Sequence, residues 1–279
     1  RYRYMNIDNI LQKLHITALN KMQLDVARAV STTNGDILVL SPTGSGKTLA
    51  YLLPSVFRLN PVVDALQMVV MVPSRELAKQ SEEVLRSMGV PLRGMALYGG
   101  RPAMEEHREM QKIHPQIVFA TPGRMNDHIA KHNLNPKGVR LLVIDEFDKS
   151  LEMGFCDEMQ KVVDSLPSVE RRILLSATDN ADIPRFVNMQ HTLRIDYTEP
   201  NSGISAAERI KSFVVRSEQK DKLDTLRRLL LSFGNKSSIV FLNYRNSVER
   251  TFDYLQSEGF VCSAYHGGLD QRQREDNLY

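Results

Sequence analysis

Tryptophan is absent from the 279 residues, and cysteine occurs only twice, at positions 156 and 262. Two thiols so far apart, in no Cys-x-x-Cys spacing, argue against a disulfide framework or a thiolate zinc site and fit a reducing cytoplasm. Long apolar runs are missing too. The longest match a strand or short helix, far short of the ~20 residues that span a bilayer, so no membrane segment is expected. The start, Arg1 to Asp8, is basic and aromatic and is not followed by the apolar stretch of a secretory signal. His107, His114, His128, His132 and His191 share no metal-ligand spacing and read as surface or loop residues. An excess of either charge is scarce as well. The net +3 permits contact with a phosphate polymer without singling one out.

What the chain does have is alternation. Strand-like apolar runs at Asp36–Leu40, Gln67–Val72, Met95–Tyr98, Ile117–Ala120, Arg140–Ile144 and Ile173–Leu175 are each followed by a segment of helical period. In Arg75–Met88, Leu77, Ser81, Val84, Leu85 and Met88 share one face. Strands apolar on both faces, alternating with helices, predict an α/β fold with a parallel sheet covered on both sides. Residues 195–209, rich in Pro, Gly, Ser and Asn, read as a linker between a first domain, 1–194, and a second, 210–279. There the pattern restarts, with strands expected at Ile210–Val215, Ser238–Leu242 and Val261–Tyr265. Helices are expected at Asp221–Leu231, at Ser247–Leu255 and from Asp270. About 70 residues are few for an α/β domain, so the second domain is expected to be incomplete. Arg171-Arg172 and Arg227-Arg228 read as solvated element ends, and the methionines as core filler.

Between the strand ending at Leu40 and the next helix lies Ser41-Pro-Thr43-Gly44-Ser45-Gly46-Lys47-Thr48. Strand, glycine loop, Lys-Thr, helix is the order of a P-loop. Gly44 and Gly46 allow a turn that aims several N–H groups at one phosphate, and the helix N-terminus adds partial positive charge. Lys47 is expected to reach the β- and γ-phosphates of ATP, and the Thr48 hydroxyl to ligate Mg²⁺. The first position is Ser41 where the usual pattern has Gly. The run Leu141–Ile144 ends in Asp145-Glu146. Asp145 is expected to hold Mg²⁺ and Glu146 to position the attacking water.

Further pieces, in order, resemble the DEAD-box family of superfamily 2 RNA helicases. Pro73-Ser-Arg75-Glu-Leu-Ala78 resembles PTRELA, Gly99-Gly100 the GG doublet, and Thr121-Pro122-Gly123-Arg124 TPGR. Asp145-Glu146-Phe147-Asp148 stands in place of DEAD, and Ser176-Ala-Thr178 matches SAT. Ser238–Asn243 and Gln271–Arg274 resemble motifs of the family's second lobe. The resemblance implies two RecA-like domains, the second incomplete, and an ATP-dependent RNA helicase. Such an enzyme grips the backbone of single-stranded or short duplex RNA and couples ATP binding and hydrolysis to local strand separation. An ATP-dependent RNA clamp or assembly scaffold is the alternative, and a DNA-directed helicase is disfavoured by the motif set. A cytoplasmic monomer is expected.

Pro73, Arg75, Gly99, Gly100, Arg101, Thr121, Pro122, Gly123 and Arg124 are the implied RNA track, with glycines admitting the phosphodiester and arginines neutralising it. The resemblance implies that Ser176 and Thr178 bond Asp148, coupling nucleotide state to RNA. It also gives Gln23 the adenine edge and makes Tyr4 a candidate to stack on the base. Phe147, bulkier than the family's Ala, implies a different pocket behind its loop. The family's later Asp-Arg-Gly and HRxGRxGR-type motifs do not occur in the chain. A longer natural protein is therefore expected, with slow hydrolysis by these residues alone, since the missing arginines are worth ~10³–10⁵ in rate.

Overall fold

The computed structural model describes residues 6–179, 185–198, 211–217, 220–269 and 273. Tyr4, most of Gln271–Arg274 and most of the expected linker lie outside them. The chain divides into two units, Arg1–Ile210 and Lys211–Tyr279.

The first unit holds a parallel sheet of β1 (Ile37–Leu40), β2 (Met68–Met71), β3 (Gly94–Leu97), β4 (Ile117–Ala120), β5 (Leu141–Ile144), β6 (Arg171–Ser176) and β7 (Leu193–Asp196). Their spatial order is β3-β4-β2-β5-β6-β1-β7, every pairing parallel. The helices of this unit are α1 (Ile7–Lys13), α2 (Lys21–Thr32), α3 (Lys47–Val56), α4 (Arg75–Met88), α5 (Ala103–Ile113), α6 (Pro122–Ala130), α7 (Phe147–Glu152) and α8 (Cys156–Asp164).

Period-2 alternation splits each central strand between two cores. Ile37, Val39, Val70, Phe119, Val143 and Ile173 pack with residues of α1 to α4 on one face. Leu38, Leu40, Val69, Val118, Leu142 and Leu174 pack with Met110, Met125, Met159 and Val162 on the other. Fully burying one such side chain is worth about 1.5–3 kcal/mol, so both faces draw helices onto the sheet. Local chemistry sets the helix ends. The Ser74 side chain accepts the Leu77 N–H at the start of α4, and Gly89, at φ 60°, ends it.

Three sequence expectations are corrected here. Ile195 and Asp196 are strand, not linker: β7 runs parallel to β1 through Asp196, and Tyr197 buries its ring just beyond. Its hydroxyl bonds Asp25 of α2, so burial overrides the loop-like composition that follows. Arg171 is buried, not solvated. Its guanidinium donates to the Val30 carbonyl at 2.7 Å and to the Thr33 carbonyl, using up acceptors at the end of α2. His128 is buried rather than superficial, for reasons given below.

In the second unit, α9 (Leu223–Phe233) and α10 (Arg245–Ser257) form where helical spacing predicts them. The three expected strands do not appear among the described residues of this unit. The segments 211–217, 238–242 and 261–265 carry no strand, and Val214 and Phe241 stay 92% and 89% exposed. A parallel strand has no internal hydrogen bonds, so apolar composition alone cannot make one without a neighbour to pair with.

Candidate nucleotide and nucleic-acid site

Sheet order sorts the loops by expected task. The loops after β1, β5 and β6 carry the P-loop, Asp145-Glu146 and Ser176–Thr178. The loops after β2, β3 and β4 carry Pro73–Arg75, Gly99–Arg101 and Thr121–Arg124. The two sets meet between β2 and β5, along the carboxyl ends of the strands, where open α/β sheets bind ligands.

The P-loop turns on Gly44 (φ 78°) and Gly46 (φ 85°), and Gly46 caps α3 with no side-chain bond. The first N–H groups of α3 therefore lack intrahelical acceptors and face the loop. Lys47 is buried, and its Nζ donates to the carbonyls of Ser41 at 2.9 Å and Pro42 at 3.4 Å. Thr43 and Gly44 are exposed at the tip, and Thr48 is half-buried.

Gln23 is fixed by two roles. It completes a capping box with Asn20 at the start of α2, and its Nε2 donates to the Gly46 carbonyl at 3.2 Å. Asn20 Nδ2 donates to the Ser45 carbonyl at 2.9 Å. The turn before α2 is thus fastened to the phosphate loop, which brings Gln23 to the site but commits its amide to holding the loop.

Asp145 is buried at the end of β5, with Oδ1 accepting the Glu146 N–H at 2.9 Å. Burial pushes its carboxyl up from the ordinary 3.8 to about 6, with further rises from Glu146 and Asp148, while Lys47 and the Glu146 N–H oppose the rise. Glu146 sits at φ 48° as the N-cap of α7. Such backbone costs a non-glycine residue of order 1–3 kcal/mol and concentrates at functional sites. Around this centre the buried hydroxyls of Ser41 and Ser45 and the Oδ1 of Asp148 have no hydrogen-bond partner among the described residues. Unsatisfied oxygens beside a cationic loop and a carboxylate suit a polar ligand. The hard oxygens of Thr48 and Asp145 suit Mg²⁺.

Phe147 is 2% exposed, part of the core cluster that also holds Met125 and Met159. The altered pocket behind the loop is thus a filled core. Asp148 receives the Thr178 hydroxyl at 3.3 Å. Ser176 does not join it. Its hydroxyl donates to the Thr178 carbonyl at 2.8 Å and accepts the Thr178 N–H at 3.3 Å, so it shapes the turn that presents Thr178.

On the other half of the edge, Gly99 and Gly100 are exposed, and Gly100 stands at φ 100° beside the Arg75 guanidinium. Thr121 caps α6 without a side-chain bond and Pro122 occupies its first turn, leaving the N–H groups of Gly123 and Arg124 open to an anion. Arg101 is half-buried within 3.5 Å of Glu109. Arg124 differs from expectation, because its side chain is only 12% exposed. Its Nε donates to Glu106 Oε2 at 2.6 Å, its Nη2 to the Arg101 carbonyl, and its Nη1 lies 3.6 Å from Asp127.

Sequence reading missed Glu106 and His128, which are fully buried and joined at 2.9 Å. One signal was available. Glu106 and Met110, four apart, are the buried face of α5, which puts a carboxylate in an apolar stripe.

Fold and edge together define a P-loop protein of the RecA-like α/β class, with the P-loop and carboxylates on one half of the edge and glycines and arginines on the other. The chain belongs to the DEAD/DEAH box helicase family, whose profile matches residues 20–186. The helicase conserved C-terminal domain matches residues 221–279. It is 30% identical to the DEAD-box ATP-dependent RNA helicase CshA of Bacillus subtilis, over 98% of this chain and 56% of that protein. It is 31% identical to the ATP-dependent RNA helicase eIF4A of Chaetomium globosum, over 86% of this chain and 61% of that protein. Among solved structures, a DEAD box protein from Methanococcus jannaschii aligns over 99% of this chain and 76% of its own at TM-score 0.61 and 27% identity. The helicase Mss116 bound to ssRNA and UDP-BeF aligns over 96% of this chain and 59% of its own at TM-score 0.80; at 22% identity it speaks to the fold alone. The chain spans about half the length of the curated relatives it matches. No helix among the described residues is long and apolar enough to cross a membrane.

Proposed function

We propose that this chain is the nucleotide- and RNA-gripping part of an ATP-dependent RNA helicase, acting on single-stranded or short duplex RNA through its backbone. The observation that carries the reading is the meeting of two half-edges: a P-loop with buried Lys47 facing Asp145, beside loops that offer N–H groups and glycines to a polyanion. Lys47 and the first amides of α3 would neutralise the terminal phosphates of ATP. Thr48 and Asp145 would hold Mg²⁺, which when bound screens the charge between the β- and γ-phosphates. Glu146, at the head of α7, would orient water in line with the γ-phosphate and accept its proton. Thr178, bonded to Asp148, links this half of the edge to β6.

Isothermal calorimetry with Mg-ATP, with and without single-stranded RNA, tests the reading. Heat from the native chain that is abolished by Lys47→Ala and enhanced by RNA is expected. An absence of heat from the folded native chain overturns it. In a strand-displacement assay on the protein extended through its C-terminal motifs, ATP-dependent separation of a short duplex is expected. ATP-dependent retention without separation would mark a clamp instead.

A further inference from the structure

The glycines assigned to RNA, Gly99, Gly100 and Gly123, are exposed, yet the group that ties their loops together is a carboxylate with no exposure at all. Glu106, on α5, takes two donors on Oε2: Arg124 Nε at 2.6 Å and His128 Nε2 at 2.9 Å. Its Oε1 lies 3.4 Å from the Tyr98 N–H, at the residue before Gly99. Arg124 passes the connection on by donating to the Arg101 carbonyl, directly after Gly100. Both ends of the glycine loop and the first turn of α6 are therefore tied to one side chain. His128 is itself oriented, because Asn133 Nδ2 lies 3.1 Å from its Nδ1, which leaves Nε2 to carry the hydrogen toward Glu106.

A buried carboxylate is a poor choice for stability alone. Burying an ion pair is costly, and well-packed apolar side chains of similar volume in place of the whole pair commonly do as well or better. Burial pushes the Glu106 carboxyl up, but the bonds from His128 and Arg124 outweigh it and hold the group below the ordinary carboxylate value, as an ion. What an ion provides here, and an apolar group could not, is simultaneous geometry for donors from two elements. It also turns the Arg124 guanidinium inward, so the contact that α6 offers a phosphate is its backbone amides.

We propose that Glu106 is a positioning residue for RNA binding, with Arg124 and His128 as its partners: it sets the spacing between the Gly99–Arg101 loop and the N-terminus of α6, so that both meet successive backbone phosphates. The inference rests on the RNA reading above and assigns the rigidity of that track to a residue that touches no RNA.

The test is fluorescence anisotropy of a labelled single-stranded oligouridylate with the 279-residue chain, at saturating ADP-beryllofluoride. The binding of a fluorescent ADP analogue is measured in parallel. Glu106→Ala is expected to weaken RNA binding by about tenfold or more and to leave nucleotide affinity within about twofold. Glu106→Gln, which keeps one oxygen for Arg124 and His128 but sets an amide against the Tyr98 N–H, is expected to fall between. Equal RNA affinity in a folded Glu106→Ala overturns the proposal, as does an equal loss of RNA and nucleotide binding. If the alanine variant does not fold, native-like RNA affinity of Glu106→Gln overturns it. A native chain that binds nucleotide but no RNA overturns the RNA reading itself, which is a different failure.

Discussion

Asp145→Asn is expected to make the nucleotide-free protein more stable while it destroys metal binding. At neutral pH the native chain carries an ionised carboxylate buried at the end of β5. Its proton affinity is raised from the ordinary 3.8 to about 6, with burial the largest cause. That gap corresponds to about 3 kcal/mol of folded-state destabilisation once the group ionises. A group whose folded value lies above its unfolded value contributes stability that is complete below the unfolded value and is lost as pH rises through the folded one. For Asp145 the loss runs from about pH 4 to about pH 6, against the usual direction for an acid. Asparagine mimics the protonated form and keeps the oxygen that accepts the Glu146 N–H. The variant should therefore gain about 2–3 kcal/mol at pH 7.5, or about 4–12 °C in the first unit's melting temperature. The gain should shrink toward zero near pH 4. Thermal unfolding in EDTA, monitored by circular dichroism from pH 4 to pH 8, measures this directly. A destabilised variant, or a gain that does not vary with pH, would refute the claim that desolvation outweighs the pull of Lys47.

Three further outcomes follow from the same geometry. Phe147→Ala restores the family's usual letter but empties a side chain that is 2% exposed in the core, and should cost about 3–5 kcal/mol in urea unfolding; a neutral effect would mean the pocket collapses without loss. Thr178→Val removes the 3.3 Å bond to Asp148, whose other oxygen already lacks a partner among the described residues. Nucleotide affinity should hold, while the enhancement of RNA binding by nucleotide drops severalfold, read from RNA titrations with and without Mg-nucleotide. Gly100→Ala places a Cβ 2.8 Å from Arg75 Nη1 on backbone at φ 100°. The strain is of order 1–3 kcal/mol, so RNA affinity should fall while the ATP-analogue titration stays unchanged.

The parts of the fold most readable from sequence are those where one local signal suffices. Four-residue strands such as Ile117–Ala120 are apolar on both faces because both faces are covered, and their runs are visible without any partner. The P-loop is equally local, since its glycines, lysine and threonine are contiguous. What escaped depends on partners distant in sequence. Arg171 gains its role from carbonyls of α2, more than a hundred residues earlier. His128 is explained only by Glu106, 22 residues away. Thr178 reaches Asp148 as expected, but which of the two hydroxyls does so is decided by a turn whose geometry the letters Ser-Ala-Thr do not encode. In the second unit the apolar runs predicted strands that the described residues do not form, because strand is a property of a pair.

The position of β6 between β1 and β5 has a metric consequence. The P-loop and Asp145 follow strands that are not neighbours, so the strand ends at Leu40 and Ile144 stand two ladder spacings apart, about 9.5 Å. Neither strand can close on the other, because the intervening strand is hydrogen-bonded to both flanks, Leu40 opposite Ser176 and Ile144 opposite Leu174. The width of the slot is a dimension of the sheet itself. Anything that spreads β1 from β5 must shear the strand that leads to Thr178.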